Sequence, residues 1–165
     1  MWFRGGGEGC DYPGEYGTLM RFYGHVSLFL GMIIDFIATL VAAYEQDIAR
    51  LYPFYPIVSA PPVILGVLGG ALIVIGTALL LVLKSLSNKE LMDSAWLEID
   101  EFMLYLLMLI AVTGFAILAL RHYAFEGLIF IIHISLVATL FTITPHSKLT
   151  HIIYRYIALL RYYKQ

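Results

Sequence analysis

Five histidines and a mid-span aspartate stand out in a chain that is poor in polar side chains. The stretch Gly127–Tyr163, GLIFIIHISLVATLFTITPHSKLTHIIYRYIALLRYY, begins as a hydrophobic run with His133 well inside it. Pro145 ends or kinks that run, and an amphipathic segment with His146 and His151 follows. His133 and His151 are ~18 residues apart, five turns at ~100° per residue, so an unbroken helix puts both on one face ~27 Å apart. That separation suits two sites near opposite membrane surfaces. His25 lies near the start of an earlier apolar run, with Asp35 near its middle. Two imidazoles from facing helices can grip a haem iron from opposite sides, a geometry that helix bundles supply. A carboxyl group inside a membrane is costly, and it belongs with a bundle interior or a water-filled cavity, where it can carry protons. The structural roles set against these are an interfacial or bundle-facing histidine and a protonated acid bonded to a neighbouring helix.

Composition says what must position these residues. Hydrophobic residues make up 61% of the chain and charged ones 13%, and a 165-residue soluble domain has too little interior to hide that much apolar surface. The chain reads as an integral membrane protein. Its net charge of −2 and the lack of a basic stripe give no footprint for nucleic acid. A single cysteine, Cys10, excludes an internal disulfide and any self-contained iron–sulfur or cysteine-based zinc site.

Residues 1–21 form a glycine-rich tail with no hydrophobic segment of the signal-peptide kind, expected to order against a neighbouring subunit or to stay mobile. The first span is expected from Phe22 to Tyr44, followed by the proline- and tyrosine-rich connector LYPFYPIVSAPP. The second, Val63 to Leu83, is rich in glycine, and Gly66 with Gly70 makes a small-xxx-small pair suited to close helix packing. A polar loop from Lys84 to Glu101 leads to the third span, Phe102 to Leu120, apolar apart from Tyr105 and Thr113. Arg121, His122 and Tyr123 make a short turn before the fourth, Phe125 to Thr144. The segment 147–165 is too polar to span. Its Ile152, Ile153, Ile157 and Leu160, with Arg155 and Arg161, suit a helix on the membrane surface. The expected fold is all-α: an integral membrane four-helix bundle over 22–146 with a C-terminal amphipathic interfacial helix.

Eight of the ten lysines and arginines fall on one side of this topology, against Arg50 and Arg121 on the other. The positive-inside rule then places both termini and the long loop in the cytoplasm, with the chain in the cytoplasmic (inner) membrane. Spans one and four are antiparallel, so His25 and His151 come near the same cytoplasmic face and form the first pairing for a b-type haem. His146 can take the place of His151, depending on the bend at Pro145. His133 lies deeper and has no histidine match in span one, where Asp35, Thr39 and Tyr44 are the polar residues. A second haem would need His122 or an unusual ligand, so one is expected rather than two. Asp35, Ser147 and Lys148 are the candidates to supply protons to a quinone.

Four stretches carry a likeness to a known family: ATLVAAY in span one, LYPFYPIVSAPPVILGVLGG, TGFAILALR in span three, and IHISLVATLFTITPHSKLTHIIYRYIALLRY. From about Phe22 onward the chain resembles the membrane domain of the tricarballylate-utilisation protein B (CitB-like) family. It is distantly similar to the haem-bearing membrane subunits of nitrate reductase and heterodisulfide reductase, in which one late helix carries two haem-ligating histidines spaced like His133 and His151. The resemblance implies the membrane arm of an oxidoreductase, passing electrons from a flavoprotein through iron–sulfur clusters to the quinone pool by way of b-type haem. In that family the clusters lie in a cysteine-rich N-terminal domain, which residues 1–20 do not match. No iron–sulfur cluster is therefore expected in this chain, and iron–sulfur and flavoprotein subunits are expected at its cytoplasmic face.

Two other function classes fit the same features. One is a haem-free structural subunit of a larger membrane complex, which visible absorbance would separate from the first. The other is a small proton-coupled transporter in which Asp35 and His133 relay protons; it ranks last because inverted repeats and broken helices are missing.

Overall fold

The structure is a computed structural model that describes residues 18–45, 60–86, 94–120, 123–146 and 151–162. These form α1 (Thr18–Ala43), α2 (Pro61–Leu86), α3 (Ser94–Leu120), α4 (Glu126–Ile143) and α5 (His151–Tyr162), with a 3-10 turn over Thr144–His146. No strand occurs among the described residues, and α1 to α4 are each long and apolar enough to cross a membrane. The shortest, α4, has 18 residues and rises ~27 Å, close to the thickness of a hydrocarbon core. Helices suit this setting because each closes its backbone hydrogen bonds internally where no water is available.

Prolines set two of the helix boundaries. Pro61 and Pro62 occupy the first turn of α2, where a missing N–H costs nothing, and the Ala60 carbonyl accepts from Val63 and Ile64 at 3.0 and 3.1 Å. Pro145 falls in the 3-10 turn that ends α4, so the hydrophobic run stops there. The Thr144 hydroxyl closes that end by donating to the Leu140 carbonyl at 2.7 Å.

The spans pack in chain order, α1 on α2, α2 on α3 and α3 on α4. Most of the buried apolar residues belong to α2 and α3, among them Ile73, Leu80, Leu83, Leu106, Leu107 and Ile110. No residue of α4 is buried within the chain. A membrane protein tolerates this, because lipid solvates an outward leucine as well as a core does.

The α1–α2 seam is the closest contact. Gly24, Leu28, Gly31, Asp35 and Ala38 follow alternating steps of four and three residues along α1, and Gly69, Ile73, Gly76, Leu80 and Leu83 do so along α2. This is the spacing of a coiled-coil seam. A β-carbon on Gly76 would stand 2.7 Å from the Leu28 amide nitrogen, and one on Gly69 would stand 2.8 Å from the Asp35 nitrogen. Backbone therefore meets backbone at these two levels. Between them the Ser27 hydroxyl donates across the seam to the Leu72 carbonyl at 2.9 Å. The Gly66–Gly70 pair singled out in the sequence is divided in use. Gly70 receives the Phe115 ring of α3, while Gly66 faces the Asp35 carboxylate.

Candidate functional site

Asp35 stands on the α1–α2 seam because its place in the four-three repeat follows Gly31. Its half-buried carboxyl lies beside Gly66, where a β-carbon would sit 4.0 Å from Oδ1. Its backbone carbonyl accepts from Thr39 at 2.9 Å, and its carboxylate makes no hydrogen bond among the described residues. Where Gly69 meets Asp35, the next residue, Gly70, meets Phe115, and Gly114 of α3 faces the His133 ring at 3.5 Å from its would-be β-carbon. Each residue step along a helix rises ~1.5 Å, so Asp35 and His133 lie within about one turn of each other in height. Laterally they are separated, since α2 and α3 stand between α1 and α4 in the order of packing.

From His25 to Asp35 the helix rises ~15 Å, and the same rise from His133 along antiparallel α4 reaches Ile143. His25 is thus level with the end of α4, from which the chain continues to His151, the first residue of α5. Ser147, Lys148 and His122 lie outside the described residues. His25 and His133 cannot share one metal ion. Imidazole–metal bonds of ~2 Å would require their nitrogens within ~4 Å, and the two rings differ by ~15 Å in height.

The tautomers follow from the hydrogen bonds. His25 Nδ1 is 2.8 Å from the Arg21 carbonyl, which only accepts, so Nδ1 carries the proton. His133 Nδ1 is 2.9 Å from the Thr113 hydroxyl on α3. That hydroxyl has one proton, and backbone carbonyls of its own helix lie at 2.8 Å (Leu109) and 3.0 Å (Ile110). With that proton on a backbone carbonyl, the hydroxyl oxygen accepts from His133 Nδ1–H, and the Ile110 carbonyl is a second acceptor beside the ring. In the neutral Nδ1–H form each ring keeps a lone pair on Nε2. This is the form in which histidine binds metal, with the other nitrogen held by an outer partner.

Thr113 is the residue that inspection of the sequence did not connect with this chemistry. No histidine of span one matches His133, whose partner is on α3. The available signal was the lone threonine in an otherwise apolar span.

As donors for a b-type haem, His25 and His133 suit in chemistry, each with a fixed tautomer and a free Nε2. His25 and His133 do not face each other, and the side chain of His151 lies outside the described residues. No group of three histidine, cysteine, aspartate or glutamate side chains converges as a metal site among the described residues.

Over residues 3–165 the chain matches a family model described as citrate utilization protein B. It is 35% identical over 161 residues to citrate utilization protein B of Escherichia coli, an alignment that takes in 96% of this chain and 41% of that protein. The chain thus spans about two fifths of the length of the curated relative it matches. No solved structure matches it.

Proposed function

The chain belongs to the citrate utilization protein B family, and from that premise we propose that it is the membrane arm of a respiratory oxidoreductase, delivering electrons to the quinone pool. The carrying observation is the pair of histidines at two depths of a four-span unit, each holding Nδ1–H on a protein oxygen and leaving Nε2 open. Electrons come from iron–sulfur and flavoprotein partners docked on the cytoplasmic face of the inner membrane, the side that carries both termini and most of the basic residues.

His25 and His151 would hold the first haem iron, and His133 would be the donor for any second site. When bound there, b-type haem supplies a one-electron relay across the low-dielectric interior. His25 meets that need through its Arg21 contact, which keeps the ring oriented and its Nε2 basic. Asp35 delivers protons to reduced quinone from the notch beside Gly66, and Ser147 and Lys148 do so at the cytoplasmic boundary.

A haem-free anchoring role is the second reading, favoured by α4, which packs on α3 along one side only and leaves its other side, with Phe130, Ile131, Ile134 and Phe141 exposed, for a partner. A proton relay between Asp35 and His133 gains no support, since their helices pack through α2 and α3 rather than as neighbours.

The test is a reduced-minus-oxidised visible spectrum of the detergent-purified protein. A sharp α-band of bis-histidine b-type haem supports the electron-transfer reading. A flat spectrum from an intact complex would remove haem from the account and leave the anchor.

A further inference from the structure

We propose that Thr113 is a positioning residue: its hydroxyl, reached across the α3–α4 interface, holds His133 in the Nδ1–H tautomer so that Nε2 is presented as a ligand. The inference rests on the reading of His133 as a ligand-bearing histidine and adds a residue that chemistry would not otherwise require.

Within α3 and α4 the other small hydroxyls serve their own helix. Ser135 donates to Ile131, Thr139 to Ser135 and Thr142 to Ala138, each to the carbonyl one turn back at 2.7–2.8 Å. Thr113 makes the same backward bond to Leu109 at 2.8 Å, but its oxygen also lies 2.9 Å from His133 Nδ1. The backward bond is what makes the oxygen an acceptor. With the single hydroxyl proton directed to the backbone, only lone pairs face the imidazole, and a ring nitrogen facing lone pairs must carry hydrogen. The neighbouring Gly114 leaves the ring edge in ordinary van der Waals contact, so the ring can lie flat along α3 without displacing it.

The consequence is electronic as well as geometric. An imidazole whose Nδ1–H is held by an oxygen acceptor is a more basic ligand at Nε2. Stronger donation stabilises an oxidised metal, so the threonine would lower the reduction potential of an iron bound there.

The test uses the full chain in lipid nanodiscs with nitrogen-15-labelled histidine, because nitrogen chemical shifts distinguish the two tautomers. The His133 signal is assigned by its loss in His133→Gln. The wild-type protein and Thr113→Ser should show Nδ1–H. In Thr113→Val, which keeps the shape and removes the hydroxyl while the Ile110 carbonyl stays beside the ring, the ratio of Nδ1–H to Nε2–H should fall about fivefold, the equivalent of one ordinary hydrogen bond. Nε2–H in the wild-type protein would overturn the proposal before any variant is made, and so would an unchanged ratio in the valine variant. If His133→Gln also removes a haem, Thr113→Val should raise that haem's midpoint potential and Thr113→Ser should restore it; an unmoved potential would count against the proposal. A flat visible spectrum with the Nδ1–H tautomer intact would sink the haem reading while supporting the positioning role.

Discussion

Asp35 and His133 stand at the same height in the four-helix row, yet α2 and α3 intervene along the chain of contacts that links them. Asp35 touches Gly69, Gly70 takes Phe115, and Gly114 borders the His133 ring. Asp35 and His133 therefore face separate surroundings.

Independence of the two sites has a measurable form. Asp35→Asn and His133→Gln should have additive effects on the stability of the purified protein, to within about 0.5 kcal/mol, because distant sites with no shared partner do not couple. A double-mutant cycle in detergent unfolding reads this directly. A coupling energy well above that figure would show the residues in communication.

The glycine seam makes a sharp contrast between neighbours. Gly76→Ala drives a β-carbon to 2.7 Å from the Leu28 nitrogen, against backbone that cannot swing aside. It should destabilise the α1–α2 pair by about 1–3 kcal/mol. Gly66→Ala meets only the Asp35 oxygen at 4.0 Å and should be tolerated. Unfolding curves for the two variants side by side decide it, and equal losses would contradict the observed packing.

Ser27→Ala removes the hydroxyl that crosses from α1 to the Leu72 carbonyl. Hydrogen bonds between membrane helices average about 0.6 kcal/mol, so this loss should be smaller than that of Gly76→Ala. The order of the two midpoints in one unfolding series is the check.

For the proposed haem, His25→Gln and His151→Ala should each abolish the α-band, since an iron deprived of one axial imidazole loses the bis-histidine spectrum. Full haem content in either variant would break the pairing, and loss in His133→Gln alone would move the site to the deeper level.

The four spans, the stop at Pro145 and the membrane class were legible in the residues themselves. Hydropathy acts on each segment separately: a run of apolar side chains prefers lipid whatever lies beside it, and proline ends a helix through its own missing N–H. Partnership was another matter. The sequence pointed to Gly66 and Gly70 as a pair, and the fold turned one towards Asp35 and the other towards Phe115. It showed His133 as a histidine without a match, and the fold set Thr113 against it from α3. Which face of a helix meets which neighbour depends on how two surfaces interlock, and in lipid that choice rests on van der Waals fit and a few hydrogen bonds rather than on hydrophobicity. Such fit is a property of pairs of helices, so only the tertiary structure could decide it.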